Sequence, residues 1–178
     1  MERILIVVDM QNDFVDGALG TKEAASIVDS VVSKIERFDG RLIATLDTHG
    51  HDYLETAEGK KLPVAHCIKG TAGWELHEKV QQALAGKNYK TVEKGTFGSV
   101  RLAQELSKEW EEEPFEAELI GLCTDICVVS NALLLKAHIP QMRIFVDASC
   151  CAGVTPKTHQ AALETMKMCQ IDVTEDSI

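Results

Sequence analysis

Short apolar runs alternate with longer amphipathic stretches along the chain, and this alternation limits the fold more than any other feature. The runs are rich in Ile, Val and Leu, and their length suits strands that are buried on both faces. Alternating strands and helices predict an α/β fold, a three-layer sandwich in which helices cover both faces of a mostly parallel six-stranded sheet. The predicted strands are residues 4–8, 42–46, 89–92, 118–121, 143–146 and 171–174.

Amphipathic periodicity fills most of the sequence between these runs. The longest irregular segment, residues 49–73, contains His, Glu and Pro, and loops of that length in a compact domain are often functional. Because no linker or repeat interrupts the pattern, we expect a single domain over residues 1–178. The predicted helices are residues 22–38, 73–86, 99–113, 124–138 and 155–168.

Charge and composition exclude several classes of partner. A formal net charge of -10 over 178 residues offers no basic surface for nucleic acid or for anionic lipid. No apolar run approaches the roughly 20 residues that a membrane span requires, and the first run is interpreted as a strand rather than a signal peptide. Six cysteines without regular spacing are typical of reduced thiols, so we expect a cytoplasmic protein.

Ionisable residues lie at the ends of the predicted strands. Asp9 ends the first strand, Asp47 the second and Lys94 the third, and the fourth strand leads into Cys127. Ligands of open parallel sheets bind beyond the carboxyl ends of the strands, so these four side chains are expected to share one rim. A lysine in that position is expected to pair with an acid, because lysine is rarely buried alone.

Cys127 lies where the fourth strand meets an apolar helix. If Thr124 or Asp125 caps that helix, Cys127 falls in its first turn, where backbone N–H groups favour a thiolate and can bind an oxyanion. A lone cysteine is more often a small packed apolar residue. The acid and the amine at neighbouring strand ends favour a reactive thiol instead, with Asp9 as its base.

A second group of residues indicates a metal site. Asp47 and His49 lie two residues apart at a strand end, and His66 could return from the long loop. Mixed carboxylate and imidazole ligands suit Zn²⁺, Mn²⁺ or Fe²⁺, and His51 and Glu58 are further candidates. By spacing alone, ordinary surface histidines are the competing interpretation.

Five motifs then occur in a fixed order, and in them the chain resembles a known family. The motifs are DMQNDF at 9–14, LDTH at 46–49, HCIKGTAGWE at 66–75, EKGTFGS at 93–99 and GLCTDICV at 121–128. With these motifs the chain resembles the isochorismatase-like cysteine hydrolases, and most of all their nicotinamidase branch. The resemblance spans nearly the whole chain and implies the isochorismatase-like hydrolase fold, a homo-oligomer, and NAD salvage by hydrolysis of a small amide through a cysteine thioester.

The resemblance also implies a role for each residue that matches a motif. Asp9 would be the general base, Lys94 would hold Asp9 charged and orient it, and Cys127 would be the nucleophile. The family keeps a cis peptide four residues before the nucleophile, here Leu122–Cys123. The backbone N–H groups of Cys123 and Cys127 would then form the oxyanion hole.

A metal and a flat pocket are implied as well. The metal would be zinc first, with manganese or iron as alternatives, and it would orient the ring nitrogen of a pyridine substrate. Glu58 is preferred over His51 as the fourth ligand. The implied ligands are Asp47, His49, His66 and Glu58, and the implied pocket residues are Phe14, Phe97 and Trp74.

Two departures from the family pattern keep other functions open. Leu62 in the run LPVAHC replaces an aromatic residue that many nicotinamidases have, so the substrate could be another small amide or a carbamoyl compound. Cys123 replaces the usual alanine and puts a second thiol near the nucleophile. A different class is a thiol redox or metal-binding protein that uses Cys123, Cys127, Cys150 and Cys151.

Two further alternatives are weaker. A true isochorismatase usually lacks the nucleophilic cysteine, which this chain has. A catalytically inactive interaction partner would usually have lost one member of the set, whereas Asp9, Lys94 and Cys127 are all present.

Overall fold

A six-stranded parallel sheet forms the centre of the molecule, which is described here by a computed structural model for residues 2–175. The strands are β1 Glu2–Val8, β2 Arg41–Asp47, β3 Tyr89–Lys94, β4 Phe115–Leu122, β5 Ile144–Ala152 and β6 Asp172–Thr174. Their order across the sheet is β3-β2-β1-β4-β5-β6, and each neighbouring pair is parallel. The predicted α/β sandwich is therefore confirmed, and its sheet is parallel throughout.

Helices cover both faces of this sheet, as expected from the alternating pattern. They are α1 Asn12–Val15, α2 Lys22–Ser26, α3 Val28–Arg37, α4 Ala57–Lys61, α5 Glu78–Leu84, α6 Val100–Glu112, α7 Val129–His138 and α8 Pro156–Met168. A 3₁₀ turn at Tyr53–Glu55 and a π-helical turn at Thr124–Val128 complete the elements of the described chain. Among residues 2–175, no helix combines the length and the apolarity that crossing a bilayer demands.

The central strand β1 supplies side chains to both layers of the core. Successive residues of a strand point to opposite faces. Ile4, Ile6 and Val8 pack with α6, α7 and α8, whereas Leu5 and Val7 pack with α3 and α5. All five side chains are fully buried. Burial on both sides fixes the end of β1, and thereby the backbone that carries Asp9.

Among the predicted boundaries that are wrong, two differ for clear tertiary reasons. The helix predicted from residue 73 begins at Glu78, because the preceding segment pairs with residues near β1 through a Gln11–Leu76 bridge. The strand predicted to end at residue 146 continues to Ala152 as β5. Its pairing with β4 shifts register between Leu119 and Gly121. The strand is therefore irregular at this point, and the apolar run that marked its first part does not continue through the second.

Gly121, near the end of β4, pairs with Val8 at the end of β1. This close approach of the two strands leads to a prediction about stability. The φ of Gly121 is +114°, and an added Cβ would lie 2.2 Å from the carbonyl oxygen of Val8. We therefore expect Gly121→Ala to lower the free energy of unfolding by about 3 kcal/mol. Gly86→Ala is the matched control, since its φ is +80° and no described atom lies within 4 Å of the added Cβ; it should cost about 1 kcal/mol. Urea unfolding of both variants measures the difference, and equal losses would contradict the packing explanation.

Candidate active site

Four buried reactive side chains meet at the carboxyl edge of the sheet. Asp9 follows β1, Asp47 and Lys94 end β2 and β3, and Cys127 lies in the π-helical turn after β4. Their exposed fractions are 0%, 2%, 5% and 4% respectively. The three adjacent strands and this turn thus bring the residues together at the rim where the sequence analysis expected them.

Lys94 is at the centre of this group. Its Nζ lies 2.6 Å from Oδ2 of Asp9, 3.4 Å from Sγ of Cys127 and 3.4 Å from Oδ1 of Asp47. One ammonium therefore contacts Asp9, the Cys127 thiol and a second acid, Asp47. The expected pairing of Lys94 with an acid is present.

Burial changes the proton affinities of these groups. It raises the pKa of Asp9 above its ordinary value, and the ammonium of Lys94 opposes that shift. It also raises the pKa of the Cys127 thiol well above its ordinary value, and the charge of Asp9 raises it further. Burial alone would lower the pKa of Lys94, but the neighbouring charges, that of Asp9 above all, raise it, so the amine stays protonated. Burial therefore opposes the thiolate that a helix start was expected to favour, and the thiol requires a base, which is the role predicted for Asp9.

The turn that carries Cys127 begins at Cys123. The Leu122–Cys123 peptide is cis, and the carbonyl of Cys123 accepts the N–H groups of Ile126 and Val128 at 3.0 Å each. No side chain caps this turn. The predicted capping by Thr124 or Asp125 is therefore wrong.

Both predicted capping residues bind the α8 region instead. Oγ1 of Thr124 lies 2.7 Å from Nδ1 of His159, and the carboxylate of Asp125 accepts the N–H of Val154 at 3.1 Å. These contacts join residues about thirty positions apart, and the local sequence pattern holds no signal for them. They attach the nucleophile turn to the start of α8.

Four side chains beside Lys94 form a group that fits a metal ion. The ligand atoms of Asp47, His49, Glu58 and His66 all lie within 4.8 Å of one another. Nε2 of His49 is 3.0 Å and Nε2 of His66 is 3.7 Å from Oδ2 of Asp47, and Oε1 of Glu58 is 3.8 Å from both nitrogens. His51 is exposed and lies outside this group, so the geometry favours Glu58 as the fourth ligand.

Neighbouring groups orient His66 and keep Asp47 charged, and both effects favour the binding of a cation. Nδ1 of His66 lies 2.8 Å from the carbonyl oxygen of Val64, which can only accept, so Nδ1 donates this bond and Nε2 is the nitrogen that faces Asp47 and Glu58. Burial alone would raise the pKa of Asp47, but the bond from His49 and the charge of Lys94 hold it well below its usual range. Two imidazoles and two carboxylates suit a divalent metal.

A cavity of about 450 Å³ opens beside both groups. Cys127, Asp47 and His66 all line it. The aromatic rings of Phe14 and Phe97 line it as well. This volume is within the range of about 300–1,000 Å³ that is usual for small-molecule sites.

Trp74 is absent from the described lining of this cavity. Its indole Nε1 donates to Oγ1 of Thr48 at 2.9 Å, and its ring packs partly against the core. The structure therefore does not support Trp74 as a pocket wall. Ile126 and Leu62, which the pocket prediction omitted, line the cavity instead.

Comparison with known proteins decides the family. The isochorismatase domain family matches residues 3–176. The chain belongs to that family. It is 28% identical to the nicotinamidase/pyrazinamidase of Mycobacterium tuberculosis, over 96% of this chain and 97% of the relative. The crystal structure of a nicotinamidase/pyrazinamidase from Bacillus subtilis matches 98% of this chain and 100% of that one, with 30% identity and a TM-score of 0.84.

A third match, under 25% identity, adds to the fold comparison. The pyrazinamidase of Pyrococcus horikoshii, solved in complex with zinc, has 24% identity and a TM-score of 0.79 over 98% of this chain and 99% of that chain. The family match and the nicotinamidase relatives show that this chain is a nicotinamidase-like amidohydrolase, an enzyme that acts on C–N bonds.

The sequence analysis missed two buried residues that hold the acids of this isochorismatase-family site. Thr45 donates its hydroxyl to Oδ1 of Asp9 at 2.6 Å. The side-chain amide of Gln11 accepts the N–H of Asp47 at 2.8 Å and donates to the Asp47 carbonyl at 2.9 Å. Gln11 lies within the motif DMQNDF, which was the available signal, whereas Thr45 lies in an apolar strand pattern that gave none.

The thiols of this isochorismatase-family chain do not gather into one cluster. Cys127 and Cys151 pack in the core layer under α6 to α8, whereas Cys150 packs in the opposite layer. Among residues 2–175, the carboxylate and histidine group is the one set of three or more ligands that could hold a metal. The geometry thus gives no support to a thiol redox or metal-storage function.

Proposed function

We propose that the protein hydrolyses nicotinamide to nicotinate and ammonia, with Cys127 as the nucleophile. The observation that carries the proposal is the position of Lys94, which contacts Asp9, Cys127 and also Asp47 of the metal-ligand group. A nucleophile and a metal site therefore lie beside the same cavity. The relatives named as nicotinamidases support this choice of substrate.

The proposed reaction proceeds through a thioester. Asp9 accepts the proton of the Cys127 thiol, and the sulfur attacks the carboxamide carbon. The backbone N–H groups of Cys123 and Cys127 donate to the developing oxyanion. Asp9 returns the proton to the departing ammonia and then activates the water that hydrolyses the thioester. Lys94 stays protonated and holds the carboxylate of Asp9 in place.

The proposed metal is zinc, with manganese or iron as alternatives. Asp47, His49, His66 and Glu58 would hold it, and the zinc in the solved Pyrococcus horikoshii pyrazinamidase supports this choice. When bound, it would supply a Lewis-acid position for the ring nitrogen of the substrate. The rings of Phe14 and Phe97 would contact the faces or edges of a flat aromatic amide.

A second candidate substrate class rests on Leu62. This side chain lines the cavity and is 39% exposed, where many nicotinamidases have an aromatic residue. Another small amide or a carbamoyl compound is therefore the alternative substrate. The nucleophile and its base would be the same for both classes.

Ammonia release by the metal-loaded protein tests the substrate. We expect release from nicotinamide and pyrazinamide to exceed release from ureido and carbamoyl compounds. Metal analysis of the same preparation should give one divalent ion per chain. If nicotinamide releases no ammonia while a carbamoyl compound does, the alternative substrate class replaces the proposed one.

Removal of the metal gives a further prediction. Chelation should lower nicotinamide hydrolysis by about 100-fold, because the substrate loses its orienting contact, and added zinc should restore it. His66→Ala should remove both bound metal and activity, since His66 lies within the ligand group. The exposed His51, outside that group, provides the control: His51→Ala should retain both. Full activity of the metal-free protein would contradict the proposal.

Three properties expected from the sequence stay predictions. We propose a cytoplasmic protein, a single domain over residues 1–178 and a homo-oligomer. Light scattering on the purified protein would measure the mass of the assembly. A mass of 19.5 kDa would exclude the oligomer.

A further inference from the structure

Asn131 is a buried amide that neither the motifs nor the proposed mechanism uses. It lies on α7, four residues after Cys127, and is 2% exposed. Its Oδ1 accepts the N–H of Ser99 at 2.9 Å, and its Nδ2 donates to the carbonyls of Phe97 at 3.2 Å and Cys127 at 2.8 Å. One side chain therefore binds two separate segments of the candidate active site.

The first of these segments is the loop of residues 95–99, which follows β3 directly after Lys94. This loop lies against α7 without space between them. A Cβ added at Gly98 would be 2.5 Å from the Leu134 side chain and 3.0 Å from the carbonyl oxygen of Ser130. The contact with α7 thus fixes where the loop can run, and the amide of Asn131 fixes its two backbone groups.

Phe97 depends on these backbone bonds for its position. It lines the same cavity as Cys127, yet it is 46% exposed. A ring that exposes nearly half of its surface has few packing contacts to hold it. Its place relative to Cys127 therefore follows from the backbone, and Asn131 binds the backbones of both residues through the same nitrogen.

We propose that Asn131 is a positioning residue that sets the separation between the aromatic wall at Phe97 and the nucleophile turn at Cys127. Through this separation it sets how well the cavity binds a flat amide. The effect on substrate rests on the proposed function, whereas the structural effect of Asn131 on the loop does not.

Two substitutions distinguish the bond from Asn131 to Cys127 from its bonds to the loop of residues 95–99. A threonine in a helix can bond the carbonyl four residues earlier, so Asn131→Thr keeps a bond to Cys127 and loses both bonds to the loop. We expect its KM for nicotinamide to rise about tenfold, the effect of losing about one hydrogen bond, while kcat changes by a smaller factor. Asn131→Ala loses all three bonds and should lower kcat as well. Asn88→Ala, on an exposed loop, should match the parent protein.

A double variant tests whether the effect passes through Phe97. In a Phe97→Ala background the aromatic wall is already absent, so Asn131→Thr should cause little further rise in KM. If the rise in KM is as large in that background as in the parent protein, Asn131 does not act through Phe97 and the proposal fails. An unchanged KM for Asn131→Thr in the parent protein would overturn it too.

Hydrogen exchange gives a readout that needs no substrate. Loss of the Oδ1 acceptor should speed exchange of the Ser99 amide in Asn131→Thr and leave β1 unchanged. Unchanged exchange at Ser99 overturns the structural part of the proposal. If the parent protein does not hydrolyse nicotinamide, the proposed substrate is wrong, and the exchange experiment still decides the role of Asn131 in the loop. Should Asn131→Ala fail to fold, Asn131→Thr carries both experiments alone.

Discussion

Replacement of Cys127 by alanine is expected to lower amide hydrolysis by roughly 10⁵-fold. The reason is chemical, since the sulfur is the atom that forms the thioester, and the variant offers no substitute at that position. The fold should not change, because Cys127 is a small side chain in an apolar layer of the core. Ammonia release at saturating nicotinamide measures the loss. Mass spectrometry of the unsubstituted protein during turnover should detect the acyl-enzyme.

Cys123→Ala is the matched control for that prediction. Cys123 also lines the cavity, and burial raises the pKa of its thiol to about 12, but Lys94, the partner of the proposed base Asp9, contacts the sulfur of Cys127 instead. Its proposed contribution is a backbone N–H, which alanine retains. We therefore expect a loss of about tenfold or less, from altered packing beside the nucleophile. Equal losses for Cys123→Ala and Cys127→Ala would instead favour a function in which the two thiols act as a pair.

The rim of the sheet could be predicted because it follows from two general rules. Apolar runs mark buried strands, and parallel strands end at one edge, so Asp9, Asp47 and Lys94 had to meet if the strands were adjacent. The strand order that makes β1, β2 and β3 neighbours is a tertiary property, and the alternating pattern does not contain it. The resemblance to the family supplied the assignment of roles at that rim.

Residues in the long loop were harder to predict than residues at strand ends. The choice of Glu58 over His51 agrees with the geometry, since Thr56 caps α4 through the N–H of Gly59 and α4 carries Glu58 to the histidines. The choice of Trp74 as a pocket wall does not agree, because its indole bonds to Thr48 instead. Both outcomes depend on the path of a loop, which residue spacing does not determine.

The environment of the nucleophile was the least predictable part of the site. A helix start was expected to favour the thiolate, but the structure buries Cys127 almost completely and raises the pKa of its thiol. Burial depends on α8, which packs against the turn from a distant part of the sequence. The local pattern thus indicated the correct residue, while the proton balance came from the tertiary fold.

That proton balance leads to the second large effect, which is expected for Asp9→Asn. The carboxamide keeps the shape of the side chain but cannot accept the thiol proton, so kcat should fall by about 10³-fold. It also removes the negative charge that lies 2.6 Å from the buried ammonium of Lys94, which should lower the free energy of unfolding by about 3 kcal/mol.

The double variant Asp9→Asn, Lys94→Met separates these two effects of the same substitution. Removing both charges together should restore much of the stability, because neither position then carries a buried charge that lacks its partner, yet it should restore no activity. Asp29→Asn, which breaks an exposed pair with Lys79, should change neither property. If Asp9→Asn kept most of its activity, another group would have to accept the thiol proton, and the role given to Asp9 would be wrong. Activity recovered along with stability in the double variant would show instead that Asp9 acts only by holding Lys94.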